Sequence, residues 1–176
     1  MCKVKEIVMK ALDGKIHQYA CANTEVLKFQ QEVVDTCKMN YCGMYGRTWM
    51  CPPGVGELED LKKKILGYPN FLVFTTKHEI EDSFDIEGMG LARDEHKKLE
   101  ALLLKVLKGE NYLLLSAGGC NICEKCTYPS APCRFPERAN PSMEACGINV
   151  VELSRDVNIN YVNGENTVTY FSLVLY

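Results

Sequence analysis

Seven of the ten cysteines fall into two short runs, and their spacing is the chain's clearest chemical signal. Cys120, Cys123, Cys126 and Cys133 form C-x2-C-x2-C-x6-C within GGCNICEKCTYPSAPCRFPE at 118–137. Cys37, Cys42 and Cys51 form C-x4-C-x8-C followed by Pro52-Pro53. Three cysteines at successive x2 spacings let one loop reach three corners of an iron–sulfur cube from different directions while backbone N–H groups turn toward the sulfurs. The bacterial ferredoxin run opens with the same three positions. A tetrahedral zinc site more often draws on two separated pairs, so the third cysteine at x2 is hard to place around one ion. The second run is therefore expected to hold a [4Fe–4S] cluster, with Zn as the alternative. Tyr128-Pro129-Ser130-Ala131-Pro132 is stiff enough to return the chain to Cys133, and Gly118-Gly119 would let backbone lie close to inorganic sulfide. Arg134 and Arg138 are candidates to offset the cluster's negative charge.

The first run has one thiol fewer. Three thiolates can hold three irons of a second cube and leave the fourth open to substrate, water or a ligand from elsewhere, for which Cys146, Cys21 and Cys2 are candidates. Pro52-Pro53 would shield such a site from water, and burial and hydrogen bonding help set a cluster's potential. Arg47 and Trp49 would line it, although Trp49, the only tryptophan, suits a core position equally well. A third arrangement has cysteines of both runs sharing one site, since crossing between runs has a precedent in two-cluster ferredoxins.

These loops need elements to position them. Residues 4–20 alternate loosely around Asp13-Gly14 and suggest a short hairpin. From Thr24, Val26, Phe29, Val33 and Cys37 recur at helical spacing, so a helix should deliver its C-terminal end at the first cysteine. A second helix is expected over GELEDLKKKIL, with acids first and lysines last, and NFLVFTTKH reads as a strand. Leu91, Leu99, Leu102 and Val106 mark the longest helix, ending at Gly109, and YLLLS at 112–116 is a short buried strand. Strand, helix and strand imply a parallel pair with a right-handed crossover, and the second cysteine loop leaves the carboxyl end of its last strand, where sites in open α/β sheets lie. Pro141-Ser142-Met143-Glu144 looks like a helix start, NVVELSRDV continues helically, and TVTYFSLVLY should be a closing strand. The expected architecture is a single α/β domain over residues 1–176, with a mixed sheet flanked by helices and two cysteine-rich metal-binding loops.

Composition narrows the function classes. A balance of 20 Lys and Arg against 23 Asp and Glu, net −3, gives no footprint for nucleic acid or an anionic membrane. No apolar run approaches the roughly 20 residues that span a bilayer, and the N-terminus has no uninterrupted apolar stretch of a signal peptide. A cytoplasmic protein is expected, its thiols serving metal rather than disulfides. His17, His78 and His96 are spread along the chain and read as surface or strand residues. The acids Glu79, Glu81, Asp82, Asp85 and Glu87 read as a solvated segment. Gly54-Val55-Gly56 lacks the further residues of a nucleotide-binding loop, and no Ser-His-Asp or Cys-His pairing follows from spacing.

Two separated motifs, CxxxxCxxYGxxxxCPPG from Cys37 to Gly54 and GGCxxCxxC, CRxPE and PSMEACGI from Gly118 to Ile148, resemble the DUF2284 family of predicted metal-binding proteins. The resemblance runs from about residue 35 into the tail TVTYFSLVLY. It implies metal ligation by Cys37, Cys42, Cys51, Cys120, Cys123, Cys126 and Cys133, whereas Cys2 and Cys21 lie outside its motifs. The functional expectation is an iron–sulfur protein with one or two [4Fe–4S] clusters that moves single electrons to a redox partner protein or a small molecule. The rivals are a zinc-binding structural or interaction module, and a redox enzyme with an open-site cluster on the three-cysteine run where Arg47 holds an anionic substrate.

Overall fold

The computed structural model describes residues 3–176. A four-stranded sheet in the order β1-β2-β4-β3 forms its centre, from β1 (Gln18–Asn23), β2 (Asn70–Glu79), β3 (Leu113–Leu115) and β4 (Thr167–Leu175). Every pairing is antiparallel. The expected parallel pair is thus corrected: β2 and β3 run the same way, but β4 lies between them and pairs with both. The β-branched and aromatic tail supplies an interior strand rather than an edge, because its residues are buried over Phe171–Leu175 and can offer ladder bonds on both sides.

The period of two along β2 and β4 sends side chains to two different faces. Phe71 and Val73 of β2 with Phe171, Leu173 and Leu175 of β4 build one core beneath α3 (Leu58–Leu66) and α5 (Val150–Asp156), filled by Ile65, Leu153, Ile148 and Cys146. Leu72, Phe74, Leu114 and Val174 point the other way, against α1 (Lys3–Leu12) and α4 (Ile86–Val106).

Residues 3–12 are α1 rather than half of a hairpin, because Val4, Val8 and Leu12 recur every four residues and bury one stripe. Asp13-Gly14 ends that helix, with Gly14 at φ +67°. The helix expected from Thr24 is reduced to a 3-10 turn at Thr24–Val26 and to α2 (Gln31–Cys37). Between them Phe29 bridges to Ile148, and the Gln30 N–H donates to the Gly147 carbonyl at 2.8 Å, so tertiary pairing overrides the periodicity. Asn23, not Thr24, caps the turn, accepting from the Glu25 N–H. Cys37 still closes α2 as expected.

Helix α4 corrects a face. Leu91 is 63% exposed and Val106 38% exposed, whereas the buried stripe is Ala92, His96, Glu100 and Leu103. The long helix therefore buries an imidazole and a carboxylate, and His96 is neither a surface nor a strand residue. His78 does lie on β2, and the acidic segment before α4 is largely exposed. Asp85 of that segment caps α4, accepting from the Gly88 N–H at 2.7 Å. Among the described residues no helix is long and apolar enough to cross a membrane.

Candidate metal centre

Strand β3 stops at Leu115, and the chain leaves the sheet under restraint. The Ser116 N–H donates to the Pro141 carbonyl at 2.8 Å, and the Ala117 N–H donates to Glu100 Oε1 at 2.9 Å. Gly118 then adopts φ +68°, a conformation that L side chains rarely adopt. A Cβ on Gly119 would stand 2.9 Å from Met44 Cγ. The glycine pair serves conformation at the first position and room at the second, and that room is filled by Met44 from the other cysteine loop. Lys97 reaches over from α4 and donates to the Gly119 carbonyl at 3.0 Å and to Ser116 Oγ at 3.3 Å.

The remainder of the second loop is braced on itself. Thr127 Oγ1 donates to the Pro132 carbonyl at 2.8 Å, and the Ala131 N–H donates to the Thr127 carbonyl at 3.0 Å. Arg134 Nη1 donates to the Lys125 carbonyl at 2.9 Å, tying the strand of chain after Cys133 to the one before Cys126. Cys120, Cys123, Cys126 and Cys133 consequently line one cavity of about 430 Å³. Arg134 lines it too, while its guanidinium also closes the loop.

The first loop forms the facing wall. Asn40 Oδ1 accepts from the Tyr45 N–H at 3.0 Å, and the Gly46 N–H donates to the Pro52 carbonyl at 2.9 Å. Trp49 Nε1 donates to the Ala131 carbonyl at 3.0 Å, and its ring meets Tyr128 edge-on at 4.9 Å. A Cβ on Gly54 would lie 2.6 Å from the Thr48 carbonyl oxygen and 2.7 Å from the Tyr128 ring. Arg47 and Trp49 therefore line the cavity of the second cysteine run, although their sequence positions had suggested a site on the first. Trp49 is half-buried and clamps the two loops together instead of entering the core.

The thiols form a continuous series across this junction. Burial pushes Cys37 upward, with Cys42 and Cys51 adding to the shift. Burial also raises Cys51, opposed by the Thr48 hydroxyl and the Cys120 N–H and reinforced by Cys42 and Cys120. Cys120 is raised by burial and by Cys133 and Cys126, against the Ile122 N–H and the Lys97 charge. Cys51 and Cys120 thus join the runs, the backbone N–H of Cys120 facing the sulfur of Cys51.

The remaining cysteines lie elsewhere. Cys146 is fully buried with Leu27, Ile65 and Ile148, and burial pushes its thiol up to about 12. Its surroundings are those of a core side chain, and it is not among the residues lining the cavity. Cys21 is exposed on β1, and Cys2 lies outside the described residues.

Among the described residues no group of three or more His, Cys, Asp and Glu side chains could hold a metal ion as they stand. The donor chemistry fits a larger sulfur-ligated group. Four thiols face one cavity, and the Thr48 hydroxyl is buried with no hydrogen-bond partner among the described residues. It lies beside Cys51 and becomes a donor once that sulfur is a thiolate. A buried hydroxyl without a partner costs about 1–3 kcal/mol, so an anionic sulfur there relieves a real penalty. Lys97, Thr48, Met44 and Tyr128 were not legible as site residues, since each becomes one only through the contact between loops or with α4.

The chain matches the DUF2284 family, described as predicted metal-binding protein, over residues 21–176, and it belongs to that family. No curated protein and no solved structure matches it.

Proposed function

We propose that this member of a family of predicted metal-binding proteins holds a [4Fe–4S] cluster on Cys120, Cys123, Cys126 and Cys133 and acts in one-electron transfer. The observation that carries the reading is that these four thiols line one cavity of about 430 Å³, closed on its far side by the first loop. A single tetrahedral zinc would require four sulfurs to converge at about 2.3 Å from one point. When bound, the cluster supplies reversible one-electron chemistry.

The chain's own residues have definable parts in this reading. The Ile122 N–H stabilises charge on the Cys120 sulfur, which raises a cluster's potential, while the Cys120 N–H and the Thr48 hydroxyl do the same for charge on Cys51 of the first run. Lys97, Arg47 and Arg134 offset the negative charge gathered by the thiolates. Trp49 and Tyr128 restrict water at the wall of the cavity. Cys51, in electrostatic reach of Cys120, sets the first run beside the second, as a second cluster or a shared one would require.

Cys120 also borders a second cavity of about 290 Å³, lined by Lys97, Arg138, Asn121 and Asn140. Two cations and two amides, against the single carboxylate of Glu100 on the same wall, suit a small anionic electron acceptor, so a small molecule is favoured over a protein as the acceptor. Reduced thiols of this number suit a reducing compartment such as the cytoplasm.

Purification without oxygen, followed by visible and EPR spectra and an iron, sulfide and zinc count, tests the proposal. About four irons per chain with matching sulfide is the expected minimum, and about eight would place a cluster on each run. Colourless protein holding zinc alone would replace the redox reading with a structural one.

A further inference from the structure

Beneath the cysteine loops, the face of the sheet covered by α4 carries a line of polar side chains. His78 Nε2 lies 2.9 Å from Thr76 Oγ1, which lies 2.7 Å from His96 Nδ1. His96 Nε2 lies 2.9 Å from Ser172 Oγ, and Ser172 Oγ donates to Glu100 Oε1 at 2.6 Å. On its other side Glu100 Oε2 accepts from Ser116 Oγ at 2.7 Å, and Ser116 Oγ accepts from Lys97 Nζ at 3.3 Å. His78 is half-buried, whereas Thr76, His96, Ser172, Glu100 and Ser116 are all buried.

The direction of every bond follows from its end. An ionised carboxylate can only accept, so Ser172 must spend its single proton on Glu100. Ser172 then accepts from His96, whose proton is on Nε2. His96 Nδ1 is left as an acceptor and takes the Thr76 proton, and Thr76 in turn accepts from His78 Nε2–H. The chain is polarised without a break from half-exposed His78 to Glu100. Glu100 and Ser116, together with Lys97 and Cys120, border the cavity of about 290 Å³.

We propose that His78, Thr76, His96, Ser172 and Glu100 form a proton relay that carries protons from solvent, through the interior, to the cavity beside Cys120. One proton binds His78 Nδ1; the Nε2 proton of His78 passes to Thr76 and that of Thr76 to His96 Nδ1. The Nε2 proton of His96 passes to Ser172, and that of Ser172 to Glu100. One proton enters and one arrives, each oxygen and nitrogen between exchanges one N–H or O–H bond for another, and the bonds of the chain reverse direction. The imidazole of His96 stays neutral at rest, since burial and the charges of His78 and Lys97 hold it low, at about 3. It therefore passes a proton by taking one on Nδ1 as it gives one from Nε2, without storing charge in the core. Other titratable groups facing the line are Tyr170 of β4, whose ring lies 6.4 Å from that of His78 and 6.0 Å from that of His96, and Glu95 and Lys97 of α4.

The relay stands on the protein's own groups and is tested on the full chain with no metal added. Nitrogen-15 NMR of histidine-labelled protein should find the His96 proton on Nε2, and a proton on Nδ1 overturns the relay. A photoacid pH jump, followed in the infrared at the carboxylic C=O band absent from Glu100→Gln, then times arrival at Glu100. Thr76→Val should slow that rise about tenfold or more while leaving its final amplitude unchanged, and Ser172→Ala should slow it likewise, with an amplitude altered by the loss of its bond to Glu100. Equal rates in wild type and in these variants, or no such band in wild type, overturn it, because the network is then only structural. Should Ser172→Ala fail to fold, half-buried His78→Asn interrupts the same path at its entrance and is read in the same way.

Discussion

The two cysteine loops solve the problem of holding thiols in place differently. The second, from Ala117 to Asn140, is anchored at its root by Glu100 and Lys97 of α4, closes on itself through Thr127 and Arg134, and lines a cavity with all four of its cysteines. The first loop begins at the end of a short helix with no buried residue and leaves Cys42 exposed, yet it buries Cys51 against Cys120. A ligand set that is enclosed and braced can be organised before metal arrives. One spread between exposed and buried positions depends on its neighbour, so the first loop completes the second more than it forms an independent cage.

The largest effect should separate the loops directly. Cys126→Ser removes one of the four thiols around the cavity and is expected to abolish iron binding at that run, whereas Cys42→Ser should leave most of it. Iron and sulfide per chain in the two variants, purified side by side without oxygen, give the comparison. Equal losses would break it and indicate one site shared by both loops.

A second test acts on the footing of the second loop alone. His96 has its pKa depressed in the folded protein, from 6.5 to about 3, by burial first and by the charges of His78 and Lys97 next. Its contribution to stability is therefore fully present above pH 6.5 and is lost as pH falls toward 3. Over that window the loss is on the order of 5 kcal/mol. Glu100 Oε1 lies 3.9 Å from His96 Nε2, and Ser172 is hydrogen-bonded to both. Denaturant unfolding at a series of pH values should show a steep acid limb in wild type and a flatter one in His96→Gln.

The difference between loops and scaffold also marks what could be read from the sequence. The cysteine runs were visible from spacing alone, as were β2, α3, α5 and the end of α2 at Cys37, because local periodicity and turn residues agree with the fold there. The order of the sheet was not, since β4 is inserted between strands that precede it by long stretches of chain and nothing in its own residues names its partners. The buried face of α4 was misread for a related reason. Leucines ordinarily mark the core, but here His96 and Glu100 take that stripe because Ser172, Thr76 and Ser116 from the strands satisfy them. Such partners lie tens of residues away. Arg47 and Trp49 were expected beside the first run and line the cavity shared with the second, because the packing of one loop on the other has no local signature.

The contact between loops yields the finer tests. Gly54→Ala would force a Cβ to 2.6 Å from a backbone oxygen that cannot step aside, and should cost about 3 kcal/mol. Trp49→Ala removes the bond to Ala131 and the edge-on contact with Tyr128, together about 2 kcal/mol. Gly119→Ala brings its Cβ to 2.9 Å from Met44, whose flexible side chain can move, so about 1 kcal/mol is expected. Equilibrium unfolding of the three metal-free variants should preserve that order. If Gly119→Ala proves as costly as Gly54→Ala, Met44 is fixed rather than yielding, and the loops meet as a rigid pair. If all three are mild, the loops separate freely without metal, and the cavity is drawn together by its ligand rather than by the chain.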